Sequence, residues 1–184
     1  MRRARTRRSL AGFTLVELIV VIVLVGILSV VAMPRFFDKT FDEAGFHDGV
    51  KAAVQHARRT AVASRRFVCV NVTVGTGAAG YVALFRDTRL PENVVSVGCI
   101  PSCSASTSCS DLALPAPAQG CPSNQVCAPS GVSIEAGSSL IFDPLGRAVG
   151  ANKVVVVAAP GDEPGIKVSN QSKIVVQPET GIVQ

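Results

Sequence analysis

The sequence predicts an α+β fold in which one long N-terminal helix packs against an antiparallel β-sheet head. Three observations lead to this prediction. An apolar run extends from Phe13 to Met33, apolar residues then recur at helical spacing to about residue 65, and the remainder consists of short β-rich runs separated by turn residues. A long amphipathic helix and a sheet each bury one face when they pack together, which is a common α+β layer arrangement.

The apolar run from Phe13 to Met33 is long enough to cross a bilayer. Its 21 residues span roughly 31 Å as a helix, about the thickness of the hydrocarbon layer. Glu17 is the only charged residue in the run. Because a carboxylate in lipid costs about 2.5–3.5 kcal/mol, we expect Glu17 to pair with a positive charge. Cleavage between Gly12 and Phe13 would supply an α-amino group for this purpose, and a neighbouring copy of the chain is a second source.

The second half of the predicted helix is amphipathic. Pro34 closes the apolar run, but helical periodicity resumes at once, which favours a kinked continuation over a stop. We therefore predict one helix from about 14 to 65, whose second half packs on a domain. The positions of its expected buried face are Phe37, Phe41, Phe46, Val50, Val54, Ala57 and Ala61.

Past Arg66, seven runs rich in β-branched and aromatic residues predict the strands of an antiparallel sheet. The turn residues that separate them include Gly75–Gly80, Asp143–Gly146, Pro160–Gly165 and Pro178–Gly181. The predicted strands are Phe67–Val74, Tyr81–Phe85, Val132–Glu135, Ser139–Phe142, Lys153–Ala159, Ile166–Val168 and Lys173–Gln177.

The net charge of +5 resides in the first 12 residues. Five of the 18 basic residues lie there, and the other 13 balance the 13 acidic residues. An Arg-rich flank before an apolar helix stays cytoplasmic under the positive-inside rule. The sequence therefore predicts a basic leader (1–12), a transmembrane and assembly helix (13–34) and an extracytoplasmic globular domain (35–184).

Five of the six cysteines fall in a segment of about 93–131 that is rich in Ser, Pro, Ala and Gly, and we predict a loop there. Outside the cytoplasm, cysteines favour disulfides, each worth about 2–4 kcal/mol, but the sequence leaves their pairing open. Zinc sites usually contain CxxC pairs or histidines, and this segment contains neither. We therefore predict no metal site and no cofactor. The disulfide candidates are Cys69, Cys99, Cys103, Cys109, Cys121 and Cys127.

Charges are segregated along the second half of the helix. Acidic residues come first, at Asp38, Asp42, Glu43 and Asp48. Basic residues follow at Lys51, Arg58, Arg59, Arg65 and Arg66. One interpretation is that the basic stems cover the edge of the core while this charge order suits the helix dipole. The other is that staggered helices of an assembly set one subunit's acidic section against the basic section of the next.

Gly12, followed by Phe13-Thr14-Leu15-Val16-Glu17, resembles the class III signal of type IV pilins, pseudopilins and related prepilins. The resemblance implies cleavage after Gly12 by a prepilin peptidase, N-methylation of Phe13, and a role for Glu17 in subunit assembly. It implies a type IV pilin-like fold and, as partners, other pilin or pseudopilin subunits, an inner-membrane assembly platform and the lipid bilayer. The expected location is the bacterial inner membrane, single-pass with a cytoplasmic N-terminus and a periplasmic domain, and then the filament.

Further segments resemble narrower groups. Pro34–Phe36, Gly45–Asp48, Val54–Ala63 and Ser64–Val70 are similar to minor prepilins of the mannose-sensitive haemagglutinin (MSHA) pilus. Phe142–Arg147 and Pro178–Val183 are similar to the wider GspH/FimT group. These likenesses imply a low-abundance subunit, in initiation or at the tip of a pilus or pseudopilus, that catalyses no reaction.

Two other functions stay open from the sequence. Some FimT-like minor pilins bind DNA through Arg-rich residues near the C-terminal hairpin, but Thr180–Gln184 has no basic residue here and the domain is formally neutral. A nucleic-acid partner is therefore the weaker expectation. A membrane-tethered adhesin that binds a surface ligand through the Cys-rich loop is the third.

Overall fold

The computed structural model describes residues 13–94, 108–117, 120–157 and 162–184, and within the helix it describes no side chains for residues 30–39. The predicted leader, residues 1–12, lies outside the described residues. The chain divides into two compact units, Met1–Asp38 and Lys39–Gln184. One helix, α1 (Leu15–Ser64), contributes residues to both.

Both ends of α1 are closed by hydrogen bonds that the local sequence supplies. At the start, the backbone N–H of Glu17 donates to Thr14 Oγ1 at 3.3 Å, so that Thr14 is the N-cap. At the end, the N–H groups of Arg65 and Arg66 donate to Val62 O and Ala61 O, with Arg65 in the left-handed region at φ 50°. This pair of bonds is a Schellman motif. The prediction of one helix from about 14 to 65 is confirmed.

The described residues contain ten strands, which form two antiparallel sheets. They are β1 (Val68–Thr73), β2 (Gly75–Thr76), β3 (Tyr81–Asp87), β4 (Cys109–Asp111), β5 (Gln125–Cys127), β6 (Ser133–Gly137), β7 (Leu140–Phe142), β8 (Ala148–Val149), β9 (Gly165–Val168) and β10 (Ile174–Val175). The first sheet has the order β4-β3-β1-β7-β8, with β5 also paired to β3. The second has the order β10-β9-β6-β2. The antiparallel pairing was predicted, but the division into two sheets was not.

The main core lies between the second half of α1 and the two sheets. Val50, Val54, Ala57 and Ala61 of α1 are fully buried against inward-facing residues of both sheets, among them Phe142. Burying such side chains contributes about 1.5–3 kcal/mol for each Val or Phe. This packing confirms the α+β layer arrangement for residues 39–184.

The opposite face of the first sheet is buried too. A second cluster contains Cys69 and Phe85, which lie opposite each other in the β1–β3 register, together with Ile141 and Val149. Val94 covers this face and is itself buried. The central strands are therefore apolar on both sides, which explains the uninterrupted runs Phe67–Val70 and Val82–Phe85.

Three predictions about local structure are wrong. The Cys-rich segment is not wholly a loop, since β4 and β5 lie in it and satisfy their backbone groups on β3. The predicted strand Lys153–Ala159 reduces, within its described residues, to one bridge between Val155 and Val149, because Lys153 has φ 65°. Phe41 was expected on the buried face but is 64% exposed. Residues 158 and 159, like the side chain of Phe37, lie outside the described part.

Candidate functional site

The first turn of α1 contains the carboxylate that the sequence singled out. Glu17 is the third residue of the helix, and its side chain is exposed. Its backbone N–H is capped by Thr14, and its negative charge lies at the positive end of the helix dipole. In the isolated chain this position stabilises the helix start without any partner, so Glu17 is compatible with the local structure and its charge is still available for pairing.

The apolar side chains that follow are not covered by any of the described residues. Among the described positions from Phe13 to Leu28, every large apolar side chain is between 47% and 80% exposed. They occupy all sides of the helix rather than one stripe. Soluble monomers rarely expose an apolar surface this large, and such a surface is typical of an interaction site.

Within the described part of the chain, no helical stretch meets the length and hydropathy of a membrane span. The predicted transmembrane segment 13–34 ends in residues whose side chains lie outside that part. Gly12, the predicted cleavage position, lies outside it as well, whereas Phe13 is described and is 80% exposed.

The five basic residues of α1 and its end are placed in different surroundings. Arg59 and Arg65 are exposed, and Lys51 is half-buried. Arg66 is half-buried, and its Nη1 has no hydrogen-bond partner among the described residues. Arg58 is held within the domain. Their predicted role in helix–helix contacts stays a prediction, with Arg59 and Arg65 the most accessible of the five.

Arg58 joins α1 to two turns that are far away in the sequence. Its Nε donates to Gly146 O at 3.2 Å and to Thr180 O at 3.1 Å, and its Nη2 donates to Thr180 O at 2.8 Å. The two turns meet at Gly146 and Gly181, both with positive φ. A Cβ added at Gly181 would lie 1.8 Å from Gly146 O, so a glycine is required there. We call this arrangement the Arg58 clasp.

Replacing Arg58 with leucine is expected to lower the free energy of unfolding of the domain by about 2 kcal/mol. The change removes a charged donor from two carbonyl groups and leaves the carbonyl of the buried Gly146 without this partner. Urea denaturation followed by circular dichroism measures the effect. Arg59→Leu is the matched control and should change stability by less than about 0.5 kcal/mol, because Arg59 is exposed. Equal effects of the two changes would contradict the clasp.

The described cysteines form disulfides. Cys121 and Cys127 are bonded to each other across six residues, with Cα atoms 6.2 Å apart. Cys69 and Cys109 are disulfide-bonded as well, and no cysteine in the described residues is free. Cys99 and Cys103 lie outside the described residues. The prediction of disulfides is thus confirmed for four of the six candidates.

The described residues contain no group of three or more His, Cys, Asp or Glu side chains placed to hold a metal ion. The two histidines of α1, His47 and His56, are nine residues apart in the sequence. His47 Nδ1 lies 3.5 Å from Asp48 Oδ1.

Sequence reasoning found the N-terminal signal but missed the Arg58 clasp. The two glycine turns were visible as breakers, and Arg58 was visible as a helix cation, yet nothing local indicated that they meet.

Comparison with known families gives one result. The model described as "Prokaryotic N-terminal methylation motif" matches residues 7–33. The match includes Gly12, Phe13 and Glu17, and it supports a type IV prepilin-like protein that is processed by a prepilin peptidase and assembles with other pilin subunits. No curated protein and no solved structure matches the chain significantly.

Proposed function

We propose that this prepilin-like chain is a minor subunit of a type IV pilus or related pseudopilus, in initiation or at the tip, and that it catalyses no reaction. The observation that carries the proposal is the coincidence of the methylation motif at residues 7–33 with an apolar helix segment that the described residues leave uncovered on all sides. A segment of this kind is stable in a bilayer before assembly and among other apolar helices afterwards.

The order of events follows from the charges. The Arg-rich leader keeps the N-terminus cytoplasmic, and the domain that follows the helix is periplasmic. Cleavage after Gly12 removes five positive charges and leaves an α-amino group on Phe13, four residues from Glu17. N-methylation of that amine keeps it cationic. The amine of one subunit then neutralises Glu17 of another on the assembly platform.

A place in the GspH/FimT group, and within it a likeness to minor prepilins of the MSHA pilus, forms the finer part of the proposal. The Arg58 clasp supports it in one respect. The two segments on which the wider likeness rests, Phe142–Arg147 and Pro178–Val183, are the two turns that Arg58 joins. The residues of both turns are therefore constrained by the same contact, the hydrogen bonds from Arg58.

Mass spectrometry of the chain purified from its native membrane tests the processing step. The mature chain is expected to begin at Phe13 and to carry one added methyl group on its amine. Gly12→Leu, which replaces the small residue before the cleaved bond, should leave the leader attached. Ala11→Ser is the matched control and should be processed normally. A mature chain that begins at any other residue overturns the proposal.

DNA uptake gains no support from Arg58, a basic residue of α1 that is hydrogen-bonded to the C-terminal hairpin. Its Nε and Nη2 already donate to carbonyl groups of the two turns, so in this arrangement these two donors do not bind a phosphate. Filament assembly therefore remains the function that the described residues support best.

A further inference from the structure

An apolar groove lies on the domain between α1 and the Cys-rich segment. It is an open groove of about 570 Å³, and its lining includes Phe41, Asp42, Gly45, Ala52 and His56 on the helix side and Leu114 and Val126 on the other. Phe41 at its mouth is 64% exposed. Asp42 is the acidic residue among the groove residues. We call this surface the α1 groove.

Gly45 in the α1 groove is not required by any contact with the described residues. A glycine inside a helix costs about 1 kcal/mol relative to alanine. Here its φ is not positive, and a Cβ added to it would meet no atom of the described residues within 4 Å. The missing side chain thus leaves open space beside the helix backbone, which allows a side chain from outside to approach closely.

An exposed apolar patch lies beside the Arg58 clasp. Leu145 and Ile182 each neighbour one of the two clasp glycines in sequence and are 70% and 48% exposed. Val62, which contacts the Gly146 position, is 46% exposed. Arg59 lines a small cavity together with Ile182 and has an exposed side chain. We call these four residues the Leu145 patch.

The two surfaces are complementary and do not overlap. One is concave and apolar with an acid, and the other is exposed and apolar with a guanidinium. Asp42 and Arg59 are 17 residues apart on α1, or about 26 Å along its axis, so they do not pair within one chain. A contact between such surfaces on two copies is heterologous, and a heterologous contact extends into a filament when its rotation does not close a ring.

We propose that the Leu145 patch of one copy docks into the α1 groove of a second copy, with Arg59 of the first paired to Asp42 of the second. The inference rests on the proposed function and narrows it, because the contact needs two neighbouring copies of this subunit in the filament, as an initiating subunit has and a single tip subunit does not. The apolar side chains of the Leu145 patch fill the space beside Gly45. The ion pair fixes the orientation of the patch in the groove.

Photo-crosslinking of the full chain in its native membrane tests this contact. Two differently tagged copies are co-expressed, with p-benzoylphenylalanine in place of Phe41 in one of them. Irradiation should give a product that carries both tags, crosslinked near Leu145 or Ile182. The same probe in place of Leu90, which is 47% exposed and belongs to neither surface, is the control and should not give it. A product crosslinked elsewhere, or only to an unrelated protein, overturns the proposal.

A charge exchange provides the second test. Asp42→Arg and Arg59→Asp should each lower the yield of the two-tag product about fivefold, because each places like charges together. The double variant D42R/R59D restores opposite charges and should return the yield to near the starting value. Failure of the double variant to restore the yield overturns the ion pair.

The mass of the chain in the same samples separates the two proposals. A chain that begins at Phe13 but gives no two-tag product overturns the contact and leaves the proposed function intact. A chain that keeps its leader overturns both.

Discussion

Replacing Glu17 with alanine is expected to reduce incorporation into filaments by roughly a hundredfold. In the proposed assembly, Glu17 neutralises the α-amino group of another subunit among apolar helices. Removing one member of a buried pair leaves the other charge uncompensated, at a cost of about 3 kcal/mol, which corresponds to roughly a factor of one hundred. Quantitative immunoblotting of sheared filaments against whole-cell protein measures the ratio. Incorporation at the level of the unchanged chain would contradict the pairing.

Thr14→Ala is the matched control for Glu17→Ala. Thr14 caps the first turn through its Oγ1, so its loss weakens the helix start by about 1 kcal/mol but leaves the carboxylate in place. If Glu17 acts mainly through the helix dipole, the two variants should have similar effects. If it pairs with an amine, Thr14→Ala should be incorporated nearly as well as the unchanged chain.

Gly181→Ala is expected to lower the free energy of unfolding by at least about 3 kcal/mol. The residue has φ 65°, which costs an alanine about 1–2 kcal/mol, and its Cβ would lie 1.8 Å from Gly146 O. Backbone must therefore move, which also displaces the carbonyl groups that Arg58 binds. Urea denaturation of the mature chain in detergent, followed by circular dichroism, measures the loss.

Gly77→Ala separates backbone strain from crowding. Gly77 has a similar φ of 59°, but a Cβ there would meet no atom within 4 Å. Only the strain of about 1–2 kcal/mol is then expected. Equal losses for the two glycines would mean that the close approach of the two turns adds nothing to stability.

The helix was predictable because its signals are local. Thr14 and Glu17 at its start, and apolar residues spaced by three and four along its second half, need no knowledge of the rest of the chain. The exception is Phe41, whose spacing fits the buried face but which lies at the mouth of the α1 groove. Periodicity identifies a face of the helix but not where the domain that covers it ends.

The sheets were predictable only in part. Most longer runs, such as Tyr81–Phe85, became strands, whereas β4 and β5 lie in a segment of low hydrophobicity and exist because β3 offers backbone partners. A run of apolar residues without alternation, as in Val82–Phe85, was the signal that both faces of the first sheet are covered. The apolar run therefore indicated a second buried face. It did not indicate that residues of the Cys-rich segment, which the sequence predicts as a loop, help to cover that face.

The candidate site also has a part that the sequence predicts and a part that it does not. Gly12, Phe13 and Glu17 form a contiguous motif, so the sequence alone indicated them. The Arg58 clasp and the α1 groove each join segments separated by tens of residues, and a single sequence contains no record of such contacts.

Deletion of residues 93–131 would be a misleading way to test whether the Cys-rich segment binds a ligand. Such a truncation removes β4, β5 and the buried residues Val94 and Ala128, and it leaves β3 as a bare edge that favours aggregation. A lost phenotype would then report misfolding of the domain. Substitutions at outward-facing positions of the same segment, such as Asp111 and Ala113, are the informative alternative, because both side chains are exposed.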